Sequence, residues 1–158
     1  YLKIIEGKTA SLIKTSAKLG AMASGCKQET ISSISKWAWH SGIIFQITDD
    51  ILDLSSDEKT LGKPSGNDII EGTYTLPVLI ALEKYPEKIN KILSDISENK
   101  VGVNEVINEF NNDEIISESK LFLKTHLEKS ESAAKEIDNK TVRNILLDIN
   151  TYLIERSN

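Results

Sequence analysis

Residues 45–53 read Phe45-Gln46-Ile47-Thr48-Asp49-Asp50-Ile51-Leu52-Asp53, with three carboxylates inside five residues of an otherwise apolar stretch. Upstream, Ile31, Ile34, Trp37, Ala38, Ser41, Phe45, Thr48 and Leu52 keep a helical period, so the spacing predicts one long helix over 29–54. At about 100° per residue, Asp49 and Asp53 leave one face of that helix a turn apart, with Asp50 to the side. Like charges at that spacing repel unless something positive lies between them. A hard divalent cation suits them, because Mg²⁺ takes carboxylate oxygens while keeping positions for water and phosphate oxygens. The plain alternative is a solvated acidic helix end.

The rest of the chain is also helical in period. Ile5, Leu12, Ile13 and Leu19 predict a helix over 2–24, and Thr75 predicts an N-cap for a helix with Pro77 in its first turn, ending at Tyr85-Pro86. Further helices are expected near 87–97, 103–111, 113–137 and 141–156. The last has Thr141 as its N-cap and Val142, Ile145, Leu146, Ile149 and Leu153 as its apolar stripe. Ser41 and Gly42 are small enough to let another helix approach the long one closely. Residues 55–73 are polar and glycine-punctuated and read as a long loop, a length that is usually functional. No strand pair, repeat or linker is visible, so the expected fold class is an all-α helical bundle, with residues 1–158 a single unit.

Composition narrows the function classes. Apolar residues at 39% and charged residues at 27% fit a globular chain, and 158 residues are enough for a real core. A net charge of −5 and the lack of a basic run argue against a nucleic-acid partner. The only arginines are Arg143 and Arg156, few for a complete diphosphate-handling protein, since Arg is the favoured fork for phosphate. Cys26 is the only cysteine, which excludes an intrachain disulfide and fits a reducing cytoplasm; it reads as a small, partly buried thiol. No apolar run approaches the ~20 residues of a membrane span, and no signal peptide is visible. The chain opens on Tyr1, read as the middle of a helix, so a truncated start is expected.

Taken in order, Lys8-Thr9-Ala10, then the FQxxDDxLD run at 45–53, then GKPxGxDxxEGxxTLPV over 62–78 resembles the C-terminal half of trans-type polyprenyl diphosphate synthases. The look is that of medium- and long-chain bacterial members, such as the catalytic component of heptaprenyl diphosphate synthase. It is densest from Lys3 to Leu82 and weaker to the end. The resemblance implies part of the isoprenoid synthase fold and a prenyltransferase that joins isopentenyl diphosphate to an allylic diphosphate. Carried over residue by residue, it implies that Asp49, Asp50 and Asp53 bind Mg²⁺. Lys8, Thr9, Gln46 and Lys63 would then hold the allylic diphosphate, with Thr9 and Gln46 beside the developing cation. The chemistry is apt, since a diphosphate leaves only when its charge is neutralised.

Other residues carry blander expectations. Asp68 and Glu71 are expected to hold the shape of the loop rather than bind metal. His40 and His126 lack a second histidine at metal spacing and read as core-edge or surface residues. Trp37 and Trp39 lie two apart on a helix, so one should pack inside while the other meets a neighbouring helix or subunit. An EF-hand over Asp49 to Lys63 fails because Leu54 stands where the loop needs glycine, and zinc fails for want of Cys and His.

The family's first aspartate-rich motif, its paired arginines and its isopentenyl diphosphate segment do not occur in these residues. Half a synthase is therefore expected to be inactive alone. It should form a homo-oligomer, or pair with another synthase subunit, through helix faces that include Trp37 or Trp39. It is also expected to be cytoplasmic, meeting a membrane only through its product. Two other readings stand beside this one: a noncatalytic short partner of a complete synthase, and a different class I terpenoid enzyme, against which GKPxGxD and KTA argue.

Overall fold

A computed structural model describes residues 1–54 and 65–156, and every regular element among them is helical, as the periodicity predicts. In chain order they are α1 (Leu2–Ile5), a π-helical turn (Glu6–Ala10), α2 (Ser11–Ala23), α3 (Gln28–Asp53) and α4 (Asn67–Ile70). Then come α5 (Leu76–Lys84), α6 (Pro86–Ser97), α7 (Val103–Val106) with a 3₁₀ turn (Ile107–Glu109), α8 (Asp113–Lys135) and α9 (Lys140–Glu155). Two compact units share the chain: Tyr1–Thr48 with Phe122–Asn158, and Asp49–Leu121.

In the first unit, Trp37 and Ala38 of α3 pack on Ala133 and Ala134 of α8, on Ile137, and on Leu146 of α9. Small residues at the contact let the elements approach until the Trp37 indole N–H donates to the Leu146 carbonyl at 3.2 Å. Beside them a polar cluster is fully buried. The Ser41 hydroxyl donates to Asn150 Oδ1 at 2.8 Å, Ser41 and Ser130 Oγ lie 2.9 Å apart, and the Asn150 amide donates to Ser130 at 3.0 Å. Each member finds a partner, so the cluster fixes one register for three helices without stranding a polar group. Trp37 is thus the inner tryptophan and offers nothing to a subunit contact. Trp39 is half-buried, with Lys14 Nζ of α2 5.0 Å from the centre of its ring.

Three expectations need correcting in this unit. The helix over 2–24 runs unbroken over 2–23 but is not α-helical throughout, because the π turn at Glu6–Ala10 lies within it. Asn139, not Thr141, caps α9: its Oδ1 accepts from the Thr141 and Val142 N–H groups at 3.0 and 3.2 Å, so one side chain satisfies two otherwise orphaned donors. The buried stripe of α9 runs through Leu146, Asn150 and Leu153, while Ile145 and Ile149 are 52% and 38% exposed. Asn150 takes a core position because Ser41 and Ser130 complete its hydrogen bonding. Leu12 and Leu19 of α2 are likewise exposed.

The two histidines are both half-buried, as core-edge residues are expected to be, and they come together in the fold. His40 of α3 and His126 of α8 meet edge to face with Nδ1 atoms 3.1 Å apart, one ring donating and the other accepting. Burial, then the charges of His126 and Lys129, push the pKa of His40 down from 6.5 to about 4. His126 is also lowered, by burial and Lys129, against an opposing pull from Glu6. The folded state therefore prefers both rings neutral. Their contribution to stability is complete above the unfolded pKa of 6.5 and is lost as pH falls from there towards about 4. Thermal midpoints of 1–158 should drop across that window, and His40→Gln should flatten that part of the curve. An unchanged slope in His40→Gln would remove the pair as its cause.

In the second unit, α5 buries Leu76, Pro77, Val78, Ile80 and Ala81, and α6 buries Ile89 and Leu93. Phe110 and Ile115 are fully enclosed. Thr75 occupies the N-cap position of α5, with Pro77 in the first turn as expected, but its side chain makes no capping hydrogen bond. Within the expected loop over 55–73, residues 55–64 lie outside the described residues, and 67–70 form α4. That short helix starts at Gly66, whose φ of +73° lies in the left-handed region that favours glycine.

Candidate functional site

The first group of site residues lies on the π turn and the facing side of α3. Five-residue spacing is explicit there: the Ser11 N–H donates to the Glu6 carbonyl, and the Ser11 hydroxyl satisfies the Gly7 carbonyl at 2.8 Å. Single π turns inside α-helices are uncommon and gather at functional positions. This one contains Gly7-Lys8-Thr9-Ala10. Lys8 is exposed at the turn, while Thr9 is half-buried and its hydroxyl donates to Gln46 Oε1 at 2.7 Å. Gln46 is buried. With its oxygen accepting from Thr9, the Gln46 amide end is turned by that contact. The structure thus joins Thr9 and Gln46, 37 residues apart in sequence.

The second group is the acidic end of α3. Asp50 and Asp53 are each only 2% exposed, and Asp49 is half-buried, which excludes the solvated acidic helix end for the first two. Burying carboxylates is costly unless they are paired or hydrogen-bonded. Asp53 Oδ2 accepts from the Asp68 N–H at 3.1 Å, and the Asp53 carbonyl accepts from the Gly66 N–H at 2.6 Å, so Asp53 anchors the start of α4. The Asn67 amide donates to Glu71 at 2.9 Å across α4, and the Thr73 N–H to the Asp68 carbonyl at 2.7 Å. Glu71 thus shapes this segment. Lys63 lies outside the described residues.

The donor set suits a hard cation, since all three aspartates offer oxygen, the ligand that Mg²⁺ and Ca²⁺ prefer. Among the described residues no three acidic, histidine or cysteine side chains gather closely enough to enclose an ion. Sequence reasoning missed the π turn, for which Gly7 ahead of Lys8-Thr9 was the available hint. It also missed the anchoring role of Asp53, which nothing in the sequence pattern signals.

The chain belongs to the polyprenyl synthetase family, whose family model matches residues 1–113. Heptaprenyl diphosphate synthase component 2 of Bacillus subtilis (strain 168) is 33% identical over 156 residues, covering 99% of this chain and 45% of that protein. Among solved structures, heptaprenyl diphosphate synthase from Staphylococcus aureus matches with a TM-score of 0.88 at 31% identity, over 100% of this chain and 50% of that one. Geranylgeranyl pyrophosphate synthase from Corynebacterium glutamicum, complexed with calcium and isoprenyl diphosphate, matches with a TM-score of 0.86 at 28% identity, over 99% and 50% of the two chains. The expected family, its helical fold and the likeness to heptaprenyl enzymes are borne out. The chain spans about half the length of the curated relatives it matches.

Proposed function

We propose that this chain is the diphosphate-binding half of a prenyltransferase that condenses isopentenyl diphosphate with an allylic diphosphate. The Thr9–Gln46 contact carries the reading, because it unites two positions that the family resemblance assigns to the reacting end of the allylic substrate. Asp49, Asp50 and Asp53 would hold Mg²⁺, which when bound supplies positive charge to the leaving diphosphate. Lys8 and Lys63 add point charges for phosphate oxygens. Thr9 and Gln46 offer oriented dipoles, held before reaction begins, to the cationic carbon left by the departing group.

The chain alone does not carry out the condensation, in this reading, and works as an oligomer or with another synthase subunit. The component 2 designation of the Bacillus relative supports such a partner. So do the exposed Leu12, Leu19 and Met22 on α2, an apolar row of the kind that marks interaction surfaces. A noncatalytic partner of a complete synthase is the second reading the same designation favours. No described helix is long and apolar enough to cross a membrane. The reading places the chain in the cytoplasm, where it meets membrane only through its product.

The test is incorporation of radiolabelled isopentenyl diphosphate into farnesyl diphosphate with Mg²⁺, by 1–158 alone and with a separately produced N-terminal half of a relative. Negligible product from 1–158 and Mg²⁺-dependent product from the pair are expected. Robust turnover by 1–158 alone would overturn the half-enzyme reading. No product from the pair, together with no Mg²⁺-dependent diphosphate binding by 1–158 in calorimetry, would overturn the prenyltransferase reading.

A further inference from the structure

The contact between the π turn and α3 has a second rung. Gly42 lies four residues before Gln46, one helical turn along the same face of α3. A Cβ placed on Gly42 would come 2.7 Å from Ala10 Cα, 3.0 Å from Ala10 Cβ and 3.4 Å from Ile13 Cδ1. The first of these atoms is backbone, so no rotamer change relieves it. Ala10 is fully buried, directly follows Thr9 and closes the π turn. The spacing at Gly42–Ala10 therefore sets how near Thr9 comes to Gln46. With any side chain at 42 the turn has to move outward, and a 2.7 Å hydrogen bond between adjacent rungs does not survive a shift of an ångström.

We infer that Gly42 is a positioning residue: the absence of a side chain there seats the π turn so that Thr9 holds Gln46 in place. Its conformational freedom is not the reason, since Gly42 is an ordinary helical residue of α3 and alanine would otherwise favour the helix. What the position requires is the missing Cβ. The inference deepens the proposed function, because Lys8 rides on the same turn and would be displaced with Thr9.

The test is made on ligand-free 1–158 by nitrogen–proton correlation NMR of the Gln46 side-chain amide. Thr9→Val supplies the reference signature for loss of the Thr9 donor. Gly42→Ala should move the Gln46 amide signals in the same direction as Thr9→Val. Ala10→Val, which wedges the contact from the opposite side, should do likewise and decides the matter should Gly42→Ala fail to fold. Gly20→Ala, at an exposed α2 position where a new Cβ meets nothing within 4 Å, should leave the signals unmoved. Gln46 signals unchanged in a folded Gly42→Ala or Ala10→Val protein overturn the inference. Because the measurement needs no substrate, a failed condensation assay leaves it standing, and its own failure says nothing against the prenyltransferase reading.

Discussion

Asp53→Ala is expected to weaken Mg²⁺-dependent diphosphate binding severely and to destabilise the chain, whereas Asp53→Asn is expected to do only the first. The difference follows from two jobs resting on one carboxylate. The asparagine side chain keeps an oxygen for the Asp68 N–H, which lies 3.1 Å from Asp53 Oδ2, but no longer offers a charged metal ligand. Calorimetric affinity for inorganic diphosphate with Mg²⁺ should fall at least about 100-fold in both variants, the upper end of what loss of an outer-shell partner costs a metal site. Stability should fall by about 1.5–3 kcal/mol in the alanine variant alone, the worth of a hydrogen bond to a charged acceptor. Wild-type affinity in Asp53→Asn would remove Asp53 from the metal site and leave it as an anchor of α4.

Gly66→Ala is expected to have the largest effect on folding. Its φ of +73° costs an L-residue about 1–2 kcal/mol. The added Cβ would also come 2.4 Å from Val103 Cγ1, an overlap whose relief by repacking costs about 1–3 kcal/mol more. A total near 3 kcal/mol lowers the thermal midpoint of a domain of this size by roughly 10 °C. Val103→Ala in the same chain removes the clashing methyl but leaves the backbone strain. The double variant should therefore lose less stability than the two single variants added together. Strict additivity in denaturant titrations would show that Val103 is not what Gly66 makes room for.

Much of the fold was legible because helical period is a local signal. The expected 29–54 and 87–97 segments match α3 and α6 to within a residue, and α9 differs by one at each end. The acidic face at Asp49, Asp50 and Asp53, and the approach that Gly42 permits, could be read from the same periodicity. What escaped depends on contacts between distant residues or on choices among neighbours of similar chemistry. His40 and His126 are 86 residues apart, and nothing near either one announces the other. Asn150 looks like a solvent position until the hydroxyls of Ser41 and Ser130 are known to lie beside it. Asn139 and Thr141 are both good caps, and the choice depends on which oxygen reaches two N–H groups together. The π turn adds a residue to one helical turn without altering composition, so an apolar count over 2–24 passes through it unbroken.

The division of the chain has a consequence for the order in which it is made. The unit Asp49–Leu121 is one uninterrupted segment, so all of its residues are joined before the synthesis of α9 begins. The other unit is built from both ends of the sequence. Until residue 150 emerges, the Ser41 and Ser130 hydroxyls lack the amide that completes their cluster, and Trp37 lacks the Leu146 carbonyl. Domains generally fold as units during synthesis, so the acidic end of α3 and the anchor at α4 are expected to take shape first. The turn bearing Lys8 and Thr9, though translated before either of these, is seated in a finished unit only after α9 arrives.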